Sequence, residues 1–374
     1  MEGRSMKVIK YIVLLFASFF GLATYAQSDK KREITSQDSL DYCMRQAKKA
    51  LNARNASATY RWYRRAVRFH SPSAQLALAN CYYWGYGTER NFEKAYYLYN
   101  KAAEQGDRIA EYSLGNCYYY GHGTKKDYEQ AVNWYRLSAS KGYFMAYFNL
   151  GCCYKDGVGT SRNYRKAVEN LEKAANDSIL AAVYMLGTVY DAKDNDWAGD
   201  KKKAFDYYLQ AAMKGYPQAQ YKVGVCYETG TGGEKDYDKA MDWYLKAADN
   251  GNLEAQFKVG RCYYHGLMNV KNNYKKAFFW MKMAGEQNHP KAQYYLGLLY
   301  LNGEGVTLDY NQAYNWFRRS AEQGYVPSIY YVGKCYLEGY GVTKDRGSAM
   351  DYFQRAANSG NSSAKAELML LRSE

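Results

Sequence analysis

The sequence predicts an all-α fold, an α-solenoid of stacked helix pairs, and three observations predict it. A glycine returns at Gly115, Gly151, Gly187, Gly224, Gly260, Gly297 and Gly333, each 36 or 37 residues after the last, with Ala79 and Met369 in the same slot at the two ends. Self-similarity at a fixed period of this length marks a repeat architecture. Each glycine lies in a segment such as Ile109–Tyr118, where Ala110, Leu114, Cys117 and Tyr118 fall at three- and four-residue spacings and share one face of a helix. A second segment opens at an alanine in register, Ala95, Ala131, Ala167, Ala204, Ala240, Ala277, Ala313 or Ala349. Aromatics follow three and four residues later, as in Trp134-Tyr135, Trp243-Tyr244 and Trp316-Phe317. One such pair cannot bury its apolar faces alone, so neighbouring pairs stack into a continuous core.

Residues 1–26 have the pattern of a secretory signal peptide. Lys7 and Lys10 precede the apolar run Tyr11–Leu22, and Ala23–Ala26 offers small residues for cleavage before Gln27. The run is shorter than the ~20 residues of a membrane span; an uncleaved N-terminal anchor is the competing reading. No cysteine stands at the cleavage point, so no lipid anchor is expected. Export is expected, to a bacterial periplasm or cell surface with a eukaryotic secretory lumen as the alternative, and with no membrane span after cleavage. Residues 27–39 are polar and read as a flexible lead. Residues 40–72 read as an N-terminal capping helix pair, since Trp62-Tyr63 stand two 36-residue steps before Trp134-Tyr135. The repeat solenoid then runs over 73–374, ending in a capping helix in which Met369 replaces the glycine.

A glycine in the middle of a helix costs roughly 1 kcal/mol against alanine. Close approach of the second helix is the expected compensation. Between the helices lie pairs such as Gly85-Tyr-Gly87, Gly121-His-Gly123, Gly157-Val-Gly159, Gly303-Glu-Gly305 and Gly339-Tyr-Gly341, suited to the left-handed conformation that ends a helix. The stretch Asp191–Lys203 lacks that pair, which leaves the shape of its loop open.

Gln293–Gly297 and Lys239–Ala248 closely follow the pattern A-x-x-x-L-G-x-x-Y and K-A-x-x-W-Y-x-K-A-A, and on them the chain resembles the Sel1-like repeat family, a relative of the tetratricopeptide repeats. The resemblance covers roughly residues 73–374. It implies a right-handed α-solenoid whose first helices line a concave groove, and a binding role. Cysteine-rich members of the family join the two helices of a repeat by disulfides; the second helices here contain no cysteine, so that feature does not carry over.

Six of the eight cysteines, Cys81, Cys117, Cys153, Cys226, Cys262 and Cys335, occupy one slot two residues after the register position, where Val189 and Leu299 stand in other repeats. A slot that accepts Cys, Val or Leu is a small apolar core site. Equivalent positions in stacked helices lie about 8–10 Å apart, beyond the ~7 Å reach of a disulfide, so buried free thiols are expected. Cys43 and Cys152-Cys153 are left open in redox state.

Chemistry finds little footing. The four histidines, His70, His122, His265 and His289, form no metal-binding motif, and no Cys-x-x-Cys exists. Gly230–Gly233 lacks the Gly-Lys-Ser/Thr ending of a phosphate loop and reads as a turn. Asp191, Asp194, Asp196 and Asp200 lack the spacing of a calcium loop and read as a solvated segment. No metal and no cofactor are expected. Some relatives of the family have been linked to penicillin binding and hydrolysis, but no serine nucleophile motif supports an envelope hydrolase here. The expectation is a non-enzymatic scaffold binding a protein or peptide.

The formal charge is +14; residues 1–26 hold three basic residues and one acidic, so cleavage leaves +12. That charge fits an acidic partner, an anionic envelope glycan or a lipid surface. It equally fits Lys and Arg on solvated helix faces, which their even spread over the repeats favours. Nucleic acid is disfavoured by export, and oligomeric state is not legible.

Tyrosine is unusually abundant, 44 of 374 residues. Tyr82, Tyr118, Tyr154, Tyr190, Tyr227, Tyr263, Tyr300 and Tyr336 recur in one slot and read as core, with rings mattering more than hydroxyls. Recognition varies between repeats instead. The resemblance places groove-facing residues one, four and five positions after the register slot. These are Asn80, Tyr83, Trp84, Asn116, Tyr119 and Tyr120 in the first two repeats, and Arg261, Tyr264, His265 and Lys334 towards the C-terminus. Asparagine amides can hold a peptide backbone while aromatics supply rigid contact area. The N-terminal group is therefore the first candidate surface; packing against the neighbouring repeat is the alternative role for its aromatics.

Overall fold

The computed structural model describes residues 36–176, 179–194 and 196–373; the signal expected over 1–26 lies outside them. Nineteen α-helices and no strand occur among the described residues. Helices α1 (Ser36–Asn52) and α2 (Ala56–Ala66) form the leading pair, followed by a 3-10 turn at Val67–Phe69; α1 takes in the last four residues of the polar lead. Eight further pairs follow: α3 (Pro72–Trp84) with α4 (Phe92–Glu104), α5 (Arg108–Tyr120) with α6 (Tyr128–Ser140), α7 (Phe144–Asp156) with α8 (Tyr164–Asn176), and α9 (Leu180–Asp191) with α10 (Lys201–Met213). Then come α11 (Pro217–Thr229) with α12 (Tyr237–Asp249), α13 (Leu253–His265) with α14 (Tyr274–Glu286), α15 (Pro290–Asn302) with α16 (Tyr310–Glu322), and α17 (Val326–Glu338) with α18 (Arg346–Asn358). Helix α19 (Ser362–Ser373) closes the stack. Each helix packs chiefly on its neighbours in sequence, as expected of a solenoid.

Local chemistry sets the helix ends. All four prolines of the chain, Pro72, Pro217, Pro290 and Pro327, stand in the first turn of a first helix, where the missing N–H costs nothing. Second helices start on Asn or Asp; the Asp127 carboxylate, for instance, accepts from Gln130 N–H at 3.0 Å. In seven of the eight repeats the first helix ends on a left-handed glycine such as Gly121, whose N–H bonds the Cys117 carbonyl; α9 ends on the extended Ala192. In all eight loops the N-cap residue of the second helix donates its own N–H to the recurring tyrosine's carbonyl, as Asp127 does to Tyr118 at 2.9 Å. The second loop glycine couples repeats. Gly123 has φ +76°, and a Cβ there would stand 2.1 Å from the Phe92 carbonyl oxygen of the preceding second helix.

The core is built ring over glycine. A Cβ on Gly115 would fall 2.6 Å from the Tyr135 ring, and on Gly333 2.7 Å from the Phe353 ring, so the second helix does approach the register glycine closely. Tyr135, Tyr208, Tyr244, Phe317 and Phe353 are the largest fully buried side chains of the stack. The eight cysteines are free thiols, seven of them buried and Cys152 half-buried.

The recurring tyrosines differ from expectation. Only Tyr154 is buried; the others are half-buried along the loop edge, and the hydroxyls of Tyr82, Tyr118, Tyr154 and Tyr336 make hydrogen bonds. Tyr60 with Tyr82, Tyr96 with Tyr118 and Tyr314 with Tyr336 share hydroxyl–hydroxyl bonds of 2.9–3.1 Å between successive repeats. Lys94, Lys166, Lys203, Lys239 and Lys276 each lie over one of these rings. Their place at the edge, not the centre, explains why a tyrosine and not a phenylalanine recurs.

In place of a Gly-x-Gly pair, the loop after α9 folds on Trp197. Its indole N–H donates to the Val189 carbonyl at 2.9 Å and its ring packs on Tyr164 and Tyr190. Asp191 pairs with Lys201 at 2.6 Å and Asp194 with Arg162 at 3.3 Å, so two of the four aspartates are engaged in ion pairs.

Candidate partner-binding face

Groove candidates sit at the C-terminal end of the first helices, beyond the register position. The positions one and four residues after the register slot are half-buried in every full repeat. They meet the next first helix at the position two before its glycine: Asn149 Nδ2 donates to Asn116 Oδ1 at 3.2 Å, and Lys258 pairs with Glu228 at 2.6 Å. A continuous strip results, running from one first helix to the next.

At the N-terminal end, α3 and α5 project an aromatic group. Trp84 and Tyr120, the last residues of their helices, are 54% and 57% exposed. Tyr83 and Tyr119 are half-buried beneath them and brace them edge-on, with ring centroids 4.9 Å from Trp84 and 5.0 Å from Tyr120 respectively. Tyr83 also packs on Phe92, and burial pushes its hydroxyl up to about 12.

His122 completes this group from the second loop. Its ring stacks on Phe92 at 4.3 Å with 5° between planes and lies 5.5 Å from Tyr120, while its Nδ1 is 2.9 Å from the Tyr83 hydroxyl. Burial, and then the positive charge of Arg90, hold His122 below its ordinary value, so the ring is neutral near pH 7. Neither His122 nor Phe92 belongs to the helix register from which the candidates were drawn. The signal available was the variable residue between the two loop glycines, Tyr86, His122, Val158, Glu304 and Tyr340.

The asparagines serve a different purpose from the one expected. Asn80 Oδ1 accepts from the Tyr99 hydroxyl at 2.6 Å and Asn116 Oδ1 from the Tyr135 hydroxyl at 2.7 Å. These bonds satisfy core tyrosines beneath the strip, which leaves only the amide nitrogens for a partner. The physical reason is that a buried hydroxyl left unpaired is costly.

Towards the C-terminus, α13 carries Arg261, Tyr264 and His265. Tyr264 packs edge-on with His265, Tyr274 and Tyr295 and lies 3.5 Å from Glu304. His265 Nε2 is 2.9 Å from the Tyr295 hydroxyl of the next first helix. Lys334 is spent on Glu367 at 3.2 Å and Glu338 at 3.6 Å. The two candidate groups occupy the same strip but are separate along it.

The described residues contain no group of three or more His, Cys, Asp or Glu suited to a metal, and no helix among them is long and apolar enough to cross a membrane. The cavities are shallow: one of about 250 Å³ is lined by Tyr227, Lys235 and Lys239 among others, away from the strip.

The Sel1 repeat model matches eight consecutive segments, residues 72–107, 108–143, 144–178, 180–216, 217–252, 253–289, 290–325 and 326–361. The crystal structure of a Sel1 repeat protein from Oxalobacter formigenes is 25% identical, with a TM-score of 0.61 over 93% of this chain and 98% of that one. That of c5321, a protective antigen present in uropathogenic Escherichia coli strains and displaying an SLR fold, is 25% identical, with a TM-score of 0.53 over 90% of this chain and 80% of that one. No curated protein matches this sequence.

Proposed function

Since this chain belongs to the Sel1 repeat family, whose solenoids serve in general as scaffolds for protein–protein contact, we propose that it is an exported, non-enzymatic scaffold that holds a protein or peptide on the face lined by its first helices. One observation carries the reading: Trp84 and Tyr120 are more than half exposed yet braced from below by Tyr83, Tyr119 and His122. Rigid aromatics of this kind bury large area at low entropic cost and dominate interfaces. A periplasmic or cell-surface setting rests on the signal-like residues 1–26, and the bacterial origin of both similar structures supports it.

The test is a crosslinked pull-down from the source envelope with the wild type and a Trp84→Ala/Tyr120→Ala double variant, read by mass spectrometry. Specific partners present with the wild type and absent with the variant, at equal helical content, support the reading. Identical capture by both moves the interface off this group. Capture that ignores the two substitutions and vanishes at raised ionic strength would favour an anionic glycan or lipid surface instead.

A further inference from the structure

Resting on the groove reading above, we propose that the C-terminal half of the same strip holds a receptor for one carboxylate, an Asp or Glu side chain of the bound peptide, with Arg261 as its donor. Arg261 lies on α13 and is half-buried, yet among the described residues its guanidinium has no hydrogen-bond or ion-pair partner. Its Nε is enclosed without an acceptor, whereas the terminal nitrogens are not among the enclosed unpaired atoms and so are open to solvent. An enclosed N–H of a charged group left without a partner is a standing cost.

The fold does not require that cost. The same slot holds Asn80, Cys152, Thr188, Val225 and Leu298 in other repeats, so neither a cation nor a long side chain is needed for stacking. Two other cations of the strip are already engaged, Lys258 with Glu228 at 2.6 Å and Lys334 with Glu367 at 3.2 Å. Glu228 does not hydrogen-bond Arg261: Lys258 Nζ and the Tyr244 hydroxyl each donate to one of its oxygens at 2.6 Å, and the Arg261 charge acts on it only through space.

The surroundings complete an anion site. The register that joins Asn116 to Asn149 of the next first helix sets Arg261 beside Tyr295, whose hydroxyl also meets His265. Burial, and then the Arg261 charge, hold His265 below its ordinary value, so it is a neutral flank and not a second cation. The nearby acids are Glu228, already engaged, and Glu304, which lies 3.5 Å from the Tyr264 hydroxyl. With Nε walled in, the two terminal nitrogens are the only free donors, and their fork matches a planar carboxylate end-on.

The probe is a random peptide library displayed on phage, selected on the immobilised protein and on Arg261→Gln. One selected peptide and its Glu→Gln counterpart are then compared by fluorescence anisotropy. The wild type should enrich Asp or Glu at one position and Arg261→Gln should not. The substitution should weaken the acidic peptide about 10- to 100-fold, the range of a hydrogen bond to a charged group, and leave the amide counterpart unchanged. Arg261→Lys, which keeps charge without the fork, should fall between; it carries the same comparison if the Gln variant does not fold. Equal enrichment of acidic residues by both proteins, or equal weakening of both peptides, overturns the carboxylate site and leaves the groove reading standing. Enrichment of no peptide on either protein overturns both.

Discussion

The ring of Phe317 occupies the space that any side chain on Gly297 would need: a Cβ built on that glycine would lie 2.4 Å from the ring's Cε1. A real Cβ contact that short does not occur, and an aromatic ring wedged between two helices has no flexible end to yield.

Gly297→Ala should therefore lower stability by about 1–3 kcal/mol, the usual range for overpacking, despite the ~1 kcal/mol that alanine contributes in a helix interior. Gly260 is the contrasting case, because the nearest atom there is in the flexible Met281 side chain, at 3.1 Å. Gly260→Ala should end within about 1 kcal/mol of the wild type. Urea unfolding followed by circular dichroism measures both; equal losses would remove the ring-over-glycine explanation.

Gly123→Ala should loosen the junction between repeats, since the added carbon meets the Phe92 carbonyl as well as an unfavourable φ of +76°. Gly251→Ala faces φ +83° with nothing within 4 Å and should cost only the left-handed strain of about 1–2 kcal/mol. Hydrogen exchange in α4 should quicken for the first variant alone. Unaltered exchange there would mean the loop is not the coupling element.

His289 should make stability depend on pH below neutrality. Its Nδ1 accepts from Ala292 N–H at 3.1 Å as the N-cap of α15, which requires the neutral ring. Burial lowers its pKa, while Glu254, 3.6 Å from Nε2, acts the other way. A lowered folded value means the unfolded chain binds the proton more readily, so the contribution is full above about 6.5, the unfolded value, and is lost as pH falls below it. His289→Asn keeps a capping side chain and should flatten the slope between pH 7 and 5 relative to the wild type. Parallel slopes would refute the assignment.

All eight cysteines should titrate as thiols on denaturation without reductant. In the native protein they should resist alkylation at pH 7, because burial pushes Cys81, Cys117 and Cys335 up to about 12 and the thiolate is the reactive form. Six thiols in place of eight would reveal a disulfide.

Much of the architecture was legible because it is written in short periods. The 36- and 37-residue register, the helix faces and the glycine turns each depend on residues close in sequence, and the detected repeats and helix bounds follow them. The loop after α9 was not legible, since nothing in its composition says that Trp197 would reach the Val189 carbonyl and replace the glycine pair. The polar ladder was missed for the same reason. Gln105 bonds Gln75 at 2.8 Å and Gln323 bonds Gln293 at 2.7 Å, a pairing 30 residues apart, while one repeat substitutes Lys141 with the 1% exposed Glu111.

The chain by itself determined that helix pairs stack and which apolar faces meet inside each pair, because those faces lie within one period and repeat with it. Only the tertiary structure decided which groove candidates are free. Trp84 and Tyr120 reach solvent, Asn80 and Asn116 are drawn down to core hydroxyls, Lys334 is neutralised by Glu367, and Arg261 is left without a hydrogen-bond partner among the described residues. The physical reason is that availability depends on what stands across the packed helices, the partner helix of the same pair for the asparagines and the neighbouring repeat for the rest. A side chain is spent or spared according to what stands opposite it some 30 to 40 residues away, as His122 does for Tyr83 and Tyr295 for His265.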